Sequence, residues 1–386
     1  MERNLREDII EALNLGEPEV VPVAPYISDN YAPKLFGLKI SEFILGSSEL
    51  KAKVLINAFE RFRYNWVMVG LYEPKGWLES VRIVDKGDMY ELLDKRNGRL
   101  VCLLPKDDTP VYGSWSGFGD LKVDEAIERM EAEIEDYKEI LRSGRCEVAR
   151  IVSQKVGKVA LVTAIIGAPF GEVVCRLGLK ETALCLRKRP DLIKKLSELV
   201  VKRYVEEAKA LIEAGAEAFW IEEVFADAST ISPKHFEEIA LPYERMEINE
   251  LKRLGVYTIL YFCGNAMPII EKIASINAHA FAFEEDKKGF KIDMPRIRSI
   301  LKGRACLFGN FDTINVLRKS PMEVEERVRE MILKLAPGGG FVLGTGSPVL
   351  KDIPPENINA MIAAARKYGR KDFLRELKNS SHLNVN

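Results

Sequence analysis

Short apolar runs alternate with amphipathic helical stretches along the C-terminal half of the chain. The runs are almost continuously apolar, as in strands buried on both faces, so they predict a parallel sheet covered by helices. They occupy residues 218–221, 257–262, 280–283, 305–308 and 341–343. Earlier runs at 20–26, 66–71 and 159–166 raise the number to about eight, which closes a (β/α)8 TIM barrel. An open doubly wound sheet is the alternative, but no GxGxxG follows any run.

A different pattern interrupts this alternation near residues 81–112. Three short β-rich runs lie there, and Asn97-Gly98 between the last two indicates a hairpin. We therefore expect an antiparallel elaboration inserted into an α/β barrel. The barrel is expected to be a single domain over residues 1–386, with a helical N-terminal extension at 1–18 and a flexible tail at about 375–386.

Composition narrows the class of partner. The chain has 386 residues, a net charge of −1 and 30% charged residues. Acidic and basic residues are interspersed, so no basic stripe indicates nucleic acid. No apolar run reaches the roughly 18 residues of a membrane span, and the charged first residues do not resemble a signal peptide. Because the six cysteines are scattered, we expect a cytoplasmic protein without disulfides.

Polar side chains follow each predicted C-terminal strand. In a parallel barrel the active site lies at the carboxyl ends of the strands, so these residues are the candidate site. Side chains alternate along a strand, so either Glu222 or Glu223 must point away from the interior. None of the three histidines stands at a strand end, so histidine catalysis is not expected. The strand-end groups are Glu222-Glu223, Cys263-Gly-Asn265, Glu284-Glu285-Asp286, Asn310-Phe-Asp312 and Ser347.

Some of these residues also have a purely structural interpretation. Asp312 could cap a helix that starts at Thr313, and Asn310 could satisfy backbone groups in a tight turn. Cys263 could be a small buried apolar residue. The pair Lys287-Lys288 is interpreted as solvated loop charge.

Several motifs together resemble the uroporphyrinogen decarboxylase superfamily. They are Tyr261-Phe-Cys-Gly-Asn265, Leu307-Phe-Gly-Asn-Phe-Asp312 and Gly344-Thr-Gly-Ser-Pro348. The N-terminal stretch 21–37 and the helix entry at 231–243 are similar as well, so the resemblance spans nearly the whole chain. It implies a (β/α)8 barrel and one of two chemistries, decarboxylation of uroporphyrinogen or methyl transfer with a corrinoid protein.

The first chemistry fits this sequence poorly. The decarboxylase branch carries arginines after its first strand that pair with substrate carboxylates, which need cationic partners when buried. Here the matching stretch, 25–31, contains no arginine. Asp29 is the nearest candidate for a substrate-binding residue in it.

The second chemistry fits better, although its zinc motif is incomplete. The resemblance implies a zinc held by a His-x-Cys, a later Cys and a carboxylate, because zinc activates a bound thiol. Cys263 and Glu284 match two of these positions and are the candidate metal ligands. Tyr261 replaces the histidine and Ser347 replaces the last cysteine. Zinc is therefore conceivable but incompletely liganded.

We expect a methyltransferase that moves a methyl group between a small methylated donor and a corrinoid-binding protein. Glu223, Glu284 and Cys263 are the candidate catalytic residues. No nucleic-acid or membrane partner is expected, and a homodimer is allowed for. A decarboxylase, or a non-catalytic barrel that binds a corrinoid or another small molecule, is the alternative. The candidate substrate-binding residues are Asp29, Tyr261, Asn265, Asn310, Asp312 and Ser347.

Overall fold

The apolar runs form eight parallel strands that curl into a barrel. The structure, a computed structural model, describes residues 4–112 and 123–382. Eight strands pair in parallel in the order β1-β12-β11-β10-β9-β8-β7-β2, and the remaining four form an antiparallel sheet in chain order. The strands are β1 (Val23–Ala24), β2 (Trp66–Val69), β3 (Val81–Asp85), β4 (Met89–Asp94), β5 (Leu100–Pro105), β6 (Val111–Tyr112), β7 (Leu161–Gly167), β8 (Ala218–Glu223), β9 (Tyr257–Phe262), β10 (Ala280–Phe283), β11 (Cys306–Phe308) and β12 (Phe341–Gly344).

Helices surround this barrel and in most cases connect consecutive strands. They are α1 (Leu5–Leu13), α2 (Ile40–Ile44), α3 (Ser48–Phe62), α4 (Trp77–Ser80), α5 (Val123–Ala132), α6 (Tyr137–Arg142), α7 (Glu147–Val156), α8 (Pro169–Leu177), α9 (Leu179–Lys188), α10 (Pro190–Glu213), α11 (Pro233–His235), α12 (Leu241–Arg253), α13 (Ile270–Ile273), α14 (Met294–Leu301), α15 (Pro321–Leu335), α16 (Pro355–Tyr368) and α17 (Lys371–His382). Among the described residues, no helix has both the length and the apolarity to cross a membrane.

Local sequence explains where the helices begin. Helix α15 starts at a capping box in which Ser320 and Glu323 bond each other's backbone N–H, with Pro321 at the first turn. Ser232 caps α11 in the same way, since its hydroxyl accepts from the N–H of His235.

A buried asparagine joins the two ends of the strand order. The N–H of Val23 donates to Oδ1 of Asn65 at 2.7 Å, and the N–H of Asn65 donates to the carbonyl of Val23 at 2.8 Å. Strand β1 is short because Pro22 and Pro25 flank it and have no N–H to donate. Asn65 supplies the polar partners that a longer strand would have provided.

Aromatic side chains fill the barrel interior. Trp220 is the centre of this packing: its ring lies 5.3 Å from Trp66, 4.8 Å from Tyr261 and 5.7 Å from Tyr26, measured between centroids. Rings of this size contribute roughly 1.5–3 kcal/mol each when fully buried. The interior is therefore a packed core with its open end at the strand carboxyl ends.

The predicted fold class is confirmed. The parallel barrel is present, and the elaboration near 81–112 is a four-stranded antiparallel sheet. Residues 1–3 of the expected N-terminal extension and 383–386 of the expected tail lie outside the described residues. Within the described part, α1 lies in the extension and α17 continues through the start of the tail.

Candidate active site

The two glutamates that end β8 lie on opposite sides of the barrel wall. Glu222 shares the inward face with Trp220, and its Oε1 accepts from the indole N–H of Trp220 at 2.9 Å and the hydroxyl of Tyr26 at 2.6 Å. Glu223 points outward and is 0% exposed. Glu223 was the residue expected at the mouth from the sequence. The structure places Glu222 there instead, on the same face of β8 as Trp220.

Backbone donors surround the Glu223 carboxyl in its outer position. Its Oε1 accepts from the N–H groups of Phe225 and Ala226, at 2.8 and 2.9 Å. Its Oε2 accepts from Gly171 at the start of α8, at 3.2 Å. Glu223 therefore ties β8 to the helical layer and does not face the mouth.

Cys263, Tyr261 and Glu284 come together at the ends of the neighbouring strands β9 and β10. Tyr261 is 3% exposed, and its hydroxyl donates to the carbonyl of Gly346 at 2.7 Å. Glu284 accepts from the N–H of Gly264 at 2.8 Å. The ends of these two neighbouring strands therefore bring the three side chains together.

An ion pair between the half-buried Lys287 and the buried Glu285 lies beside this group. The ammonium of Lys287 lies 2.9 Å from Oε1 of Glu285 and 3.7 Å from Glu284, and it donates to the hydroxyl of Ser347 at 3.0 Å. Ser347 in turn donates to Oε2 of Glu285 at 2.8 Å. Lys287 is thus a fixed part of the mouth and not a solvated loop charge.

Two glycines allow the close approaches that this arrangement needs. Gly264 has φ +79°, a conformation that favours glycine, and a Cβ there would lie 2.6 Å from the carboxyl carbon of Asp227. At Gly346 a Cβ would collide with the backbone and carboxylate of Glu285. The same Asp227 accepts from the N–H of Asn265 at 2.9 Å, which fixes the loop that carries Asn265.

Asn310 and Asp312 have structural partners. The side-chain amide of Asn310 donates to the carbonyl of Glu284 at 2.9 Å. Asp312 accepts from the N–H groups of Ile314 and Asn315 at 2.9 and 2.7 Å, so it caps the turn that begins at Thr313. Both also line a second cavity, of about 540 Å³, that Glu285 borders as well.

A cavity of about 860 Å³ opens on the β1, β2, β7 and β8 side of the mouth. Tyr26 and Glu222 line it, and so does Asp29 after β1. Asp29 accepts from the hydroxyl of Tyr72 at 3.1 Å, and burial raises the pKa of Asp29 to about 6. The far wall consists of charged residues on α8 and α10, among them Arg203.

Cys263 is held as a thiol in this environment. Burial raises its pKa well above the usual value, and the carboxyls of Glu284 and Glu222 raise it further. Burial also raises the pKa of Glu222. A thiolate nucleophile at Cys263 would need a positive charge that these neighbours do not supply.

Zinc does not fit this set of donors. The Tyr261 and Ser347 hydroxyls are bonded to other groups. The Lys287 ammonium lies 3.0 Å from the Ser347 hydroxyl and 3.7 Å from Glu284, where its charge opposes a metal cation. In the described ranges, no three His, Cys, Asp or Glu side chains are grouped to hold a metal ion. Cys263 and Glu284 therefore lack the further ligands that a zinc site requires.

Tyr26 and Lys287 were not expected at the site from the sequence, whereas Glu285 stood among the strand-end groups that follow β10. Tyr26 lies in the same N-terminal stretch as Asp29. Nothing in the sequence pairs Lys287 with Ser347, which is 60 residues away.

The fold and its mouth define the class: a parallel α/β-barrel enzyme with polar groups at the carboxyl ends of its strands. The family model described as "Uroporphyrinogen decarboxylase (URO-D)" matches residues 123–368, more than half of the chain. The chain belongs to the uroporphyrinogen decarboxylase family, as its motifs indicated.

Relatives within this family carry different activities in their names. A uroporphyrinogen decarboxylase from Trichodesmium erythraeum is 25% identical over 57% of this chain, and the chain covers 62% of it, less than two thirds of its length. A methylcobamide:CoM methyltransferase MtbA from Methanosarcina mazei is 24% identical over 68% of this chain and 77% of its own. A solved methyltransferase structure from Methanosarcina mazei has a TM-score of 0.71 at 20% identity, covering 95% of this chain and 99% of its own. That structural similarity supports the fold.

Proposed function

We propose that this protein transfers a methyl group between a small methylated donor and a corrinoid carried by a partner protein. The observation that carries the proposal is the position of Glu222, whose carboxyl faces the 860 Å³ cavity from the inner wall of the barrel. Relatives named as methylcobamide methyltransferases support it. The corrinoid would supply the cobalt centre that exchanges the methyl group.

Glu222 is the residue that we expect to contact the donor. The hydroxyl of Tyr26 and the indole N–H of Trp220 both donate hydrogen bonds to its Oε1. These bonds fix the plane of the carboxyl group and leave Oε2 for the heteroatom that carries the methyl group. Such orientation lowers the free-energy barrier to methyl transfer, because the reacting groups lose no further translational or rotational freedom on the way to the transition state.

The strand ends of β9 and β10 would form the adjacent wall. Cys263 contributes a neutral thiol, and the Glu284 carboxylate is fixed by Gly264 on one side and Lys287 on the other. We assign to Cys263 and Tyr261 the lining of the donor site, and to Glu284 with Lys287 its electrostatic field. No step is routed through zinc, because the donor set does not fit it.

Decarboxylation of uroporphyrinogen is the less favoured function. That reaction requires cations free to pair with several substrate carboxylates. The arginines that line the cavity already contact carboxylates of the chain: Arg203 lies 2.8 Å from Glu172, and Arg145 lies 2.7 Å from Glu135.

The test is transfer to reduced cobalamin. Purified protein is incubated with cob(I)alamin, free or on a corrinoid protein, and a panel of methylated amines, methoxyaromatics and methylated thiols. We expect the cob(I)alamin absorbance to be replaced by that of methylcobalamin with at least one donor class. Glu222→Gln should lower kcat/KM about 100-fold, the size of effect that a lost positioning contact produces.

Glu237→Gln is the matched control, because this carboxylate lies on the surface in an ion pair with Lys272. It should leave the rate unchanged. The proposal fails if no donor class supports transfer, or if Glu222→Gln and Glu237→Gln give equal rates. Conversion of uroporphyrinogen to a decarboxylated product would favour the second function.

A further inference from the structure

The charged residues that line the 860 Å³ cavity are unequal in number. Seven acidic side chains face it against four basic ones. Buried or half-buried carboxylates are costly without a cationic partner. The balance of the wall therefore bears on the charge of whatever enters.

The three arginines of the wall are already neutralised. Arg203, only 7% exposed, contacts Glu172 at 2.8 Å and Glu207 at 3.4 Å. Arg176 contacts Glu172 at 2.7 Å and Glu133 at 3.3 Å. Arg145 contacts Glu135 at 2.7 Å. Each arginine that lines the described part of the cavity therefore already pairs with a carboxylate of the chain.

The fourth cation of the wall, Lys51, is bonded within the chain. Lys51 is 6% exposed, donates to the carbonyl of Gly46 at 2.7 Å and lies 5.5 Å from the ring centroid of Tyr72. It lies near Asp29 and Glu73 but does not offset their burial, since burial raises the pKa of both.

Within the described ranges, three acidic residues of the wall form no ion pair with an arginine within 4 Å: Asp29, Glu73 and Glu222. Among the described residues, the hydrogen-bond donors to the first and last of these carboxyls are neutral: the hydroxyl of Tyr72 for Asp29, and Tyr26 with Trp220 for Glu222. Tyr26, Tyr72 and Tyr204 add aromatic surface to the same cavity. Carboxylates together with aromatic faces are the chemistry that recognises an organic ammonium ion.

We propose that the ligand of this cavity is a small organic cation with a methylated onium centre, held between Glu222 and Asp29. That the ligand carries a methyl group for transfer rests on the proposed function. That it is a cation rests on the excess of acidic residues in the cavity wall. A neutral methoxyaromatic or an anionic thiol would leave the surplus carboxylates unpaired, whereas an onium ion pairs with them.

Binding is measured on the full chain alone, without a corrinoid partner. Choline and 3,3-dimethylbutan-1-ol form a matched pair, because a neutral carbon in the alcohol replaces the positively charged nitrogen of choline. Tetramethylammonium is a second cationic probe, and 2-mercaptoethanesulfonate is an anionic one. Titration calorimetry should show both cations binding at least about tenfold more tightly than the alcohol, with no binding of the sulfonate.

Two variants locate the site, one at the end of β8 and one in the turn after β1. Glu222→Gln and Asp29→Asn should each weaken choline binding about tenfold or more and leave the alcohol unaffected. Glu237→Gln on the surface should change nothing. Thermal melts confirm that each variant is folded, and a second carboxylate variant keeps the test decisive if one of them unfolds.

The proposal is overturned if neither cation binds saturably, if the alcohol binds as tightly as choline, or if the sulfonate binds best. These outcomes are separate from those of the methyl-transfer assay. Cation binding without transfer would refute the proposed function alone, and transfer from a neutral donor without cation selectivity would refute this inference alone.

Discussion

Replacement of Glu244 by glutamine should change how stability depends on pH. Glu223, Glu244 and Glu247 are each 0% exposed between β8 and α12. Among the described residues, neither oxygen of Glu247 has a hydrogen-bond partner, and the carboxyl of Glu244 has only that of Glu223 to bond, which requires a proton between them. Burial, and then the charge of Glu223, raises the pKa of both well above the usual value. We therefore expect the folded protein to hold Glu244 and Glu247 as neutral acids.

Glu223 shows the scale of such shifts in this cluster, since burial raises its pKa from 4.5 to about 7. A shift of that size corresponds to about 3 kcal/mol. The folded state binds the proton more tightly than the unfolded chain does. The stability that this proton contributes is therefore complete below pH 4.5 and is lost as the pH rises through 7. Stability should fall over this window, because the unfolded chain releases protons that the folded cluster retains.

Glu244→Gln removes one acid while keeping the side-chain shape. The variant should be more stable than the parent at pH 8 by about 1–3 kcal/mol, and should match it or fall below it at pH 5. Thermal midpoints measured from pH 5 to 8 test this. Subtracting the parent's midpoint from the variant's removes the pH dependence that the other titrating groups cause in both proteins. The exposed Glu237→Gln provides the control. Parallel pH curves for Glu244→Gln and the parent would refute the reasoning.

Three further predictions concern two charged groups and one tyrosine hydroxyl of the site. Burial alone would raise the pKa of Glu172, but attraction to Arg203 and Arg176 outweighs it and holds the pKa at about 2. Glu172→Gln should therefore lower the free energy of unfolding by about 3 kcal/mol at pH 7. Denaturation curves should show this difference disappearing as the pH falls from 4.5 towards 2. Lys287→Met leaves the buried Glu285 without its cation, so it should lower the free energy of unfolding by about 3–5 kcal/mol, and adding Glu285→Gln should restore most of it in a double-mutant cycle. Tyr261→Phe removes the hydrogen bond to the carbonyl of Gly346 and should cost about 1–3 kcal/mol in the same assay, whereas an unchanged midpoint would show that this bond does not contribute.

The barrel was predictable because its signal is repeated. Each strand is a separate apolar run and each run is followed by a helix, so an error in one run does not change the fold class. The proximity of Cys263 and Glu284 was predictable for the same reason, since neighbouring parallel strands end at one rim. The four-stranded antiparallel sheet was visible as a change in the spacing of β-rich runs.

The charged wall of the cavity was not predictable in this way. Arg203, Glu172 and Glu207 lie on α8 and α10, where charged residues at helical spacing normally indicate a solvated face. Their burial depends on how two helices and the segment before α6 meet, which no local pattern encodes. Lys287 poses the same problem, because its long side chain is directed by Ser347, a residue 60 positions away.

The identity of the inward glutamate depends on a single unknown, the phase of strand β8. Alternation requires that Glu222 and Glu223 face opposite ways, but it does not say which is inside. In an amphipathic strand the apolar face would decide, whereas β8 is apolar on both faces, with Phe219 and Ile221 outward and Trp220 inward. The decision comes from tertiary packing: the Trp220 ring stacks on Tyr261 and packs against Trp66. Because Glu222 is two residues from Trp220, the same packing places its carboxyl in the mouth, and a substitution that turned Trp220 outward would remove the site and the barrel core together.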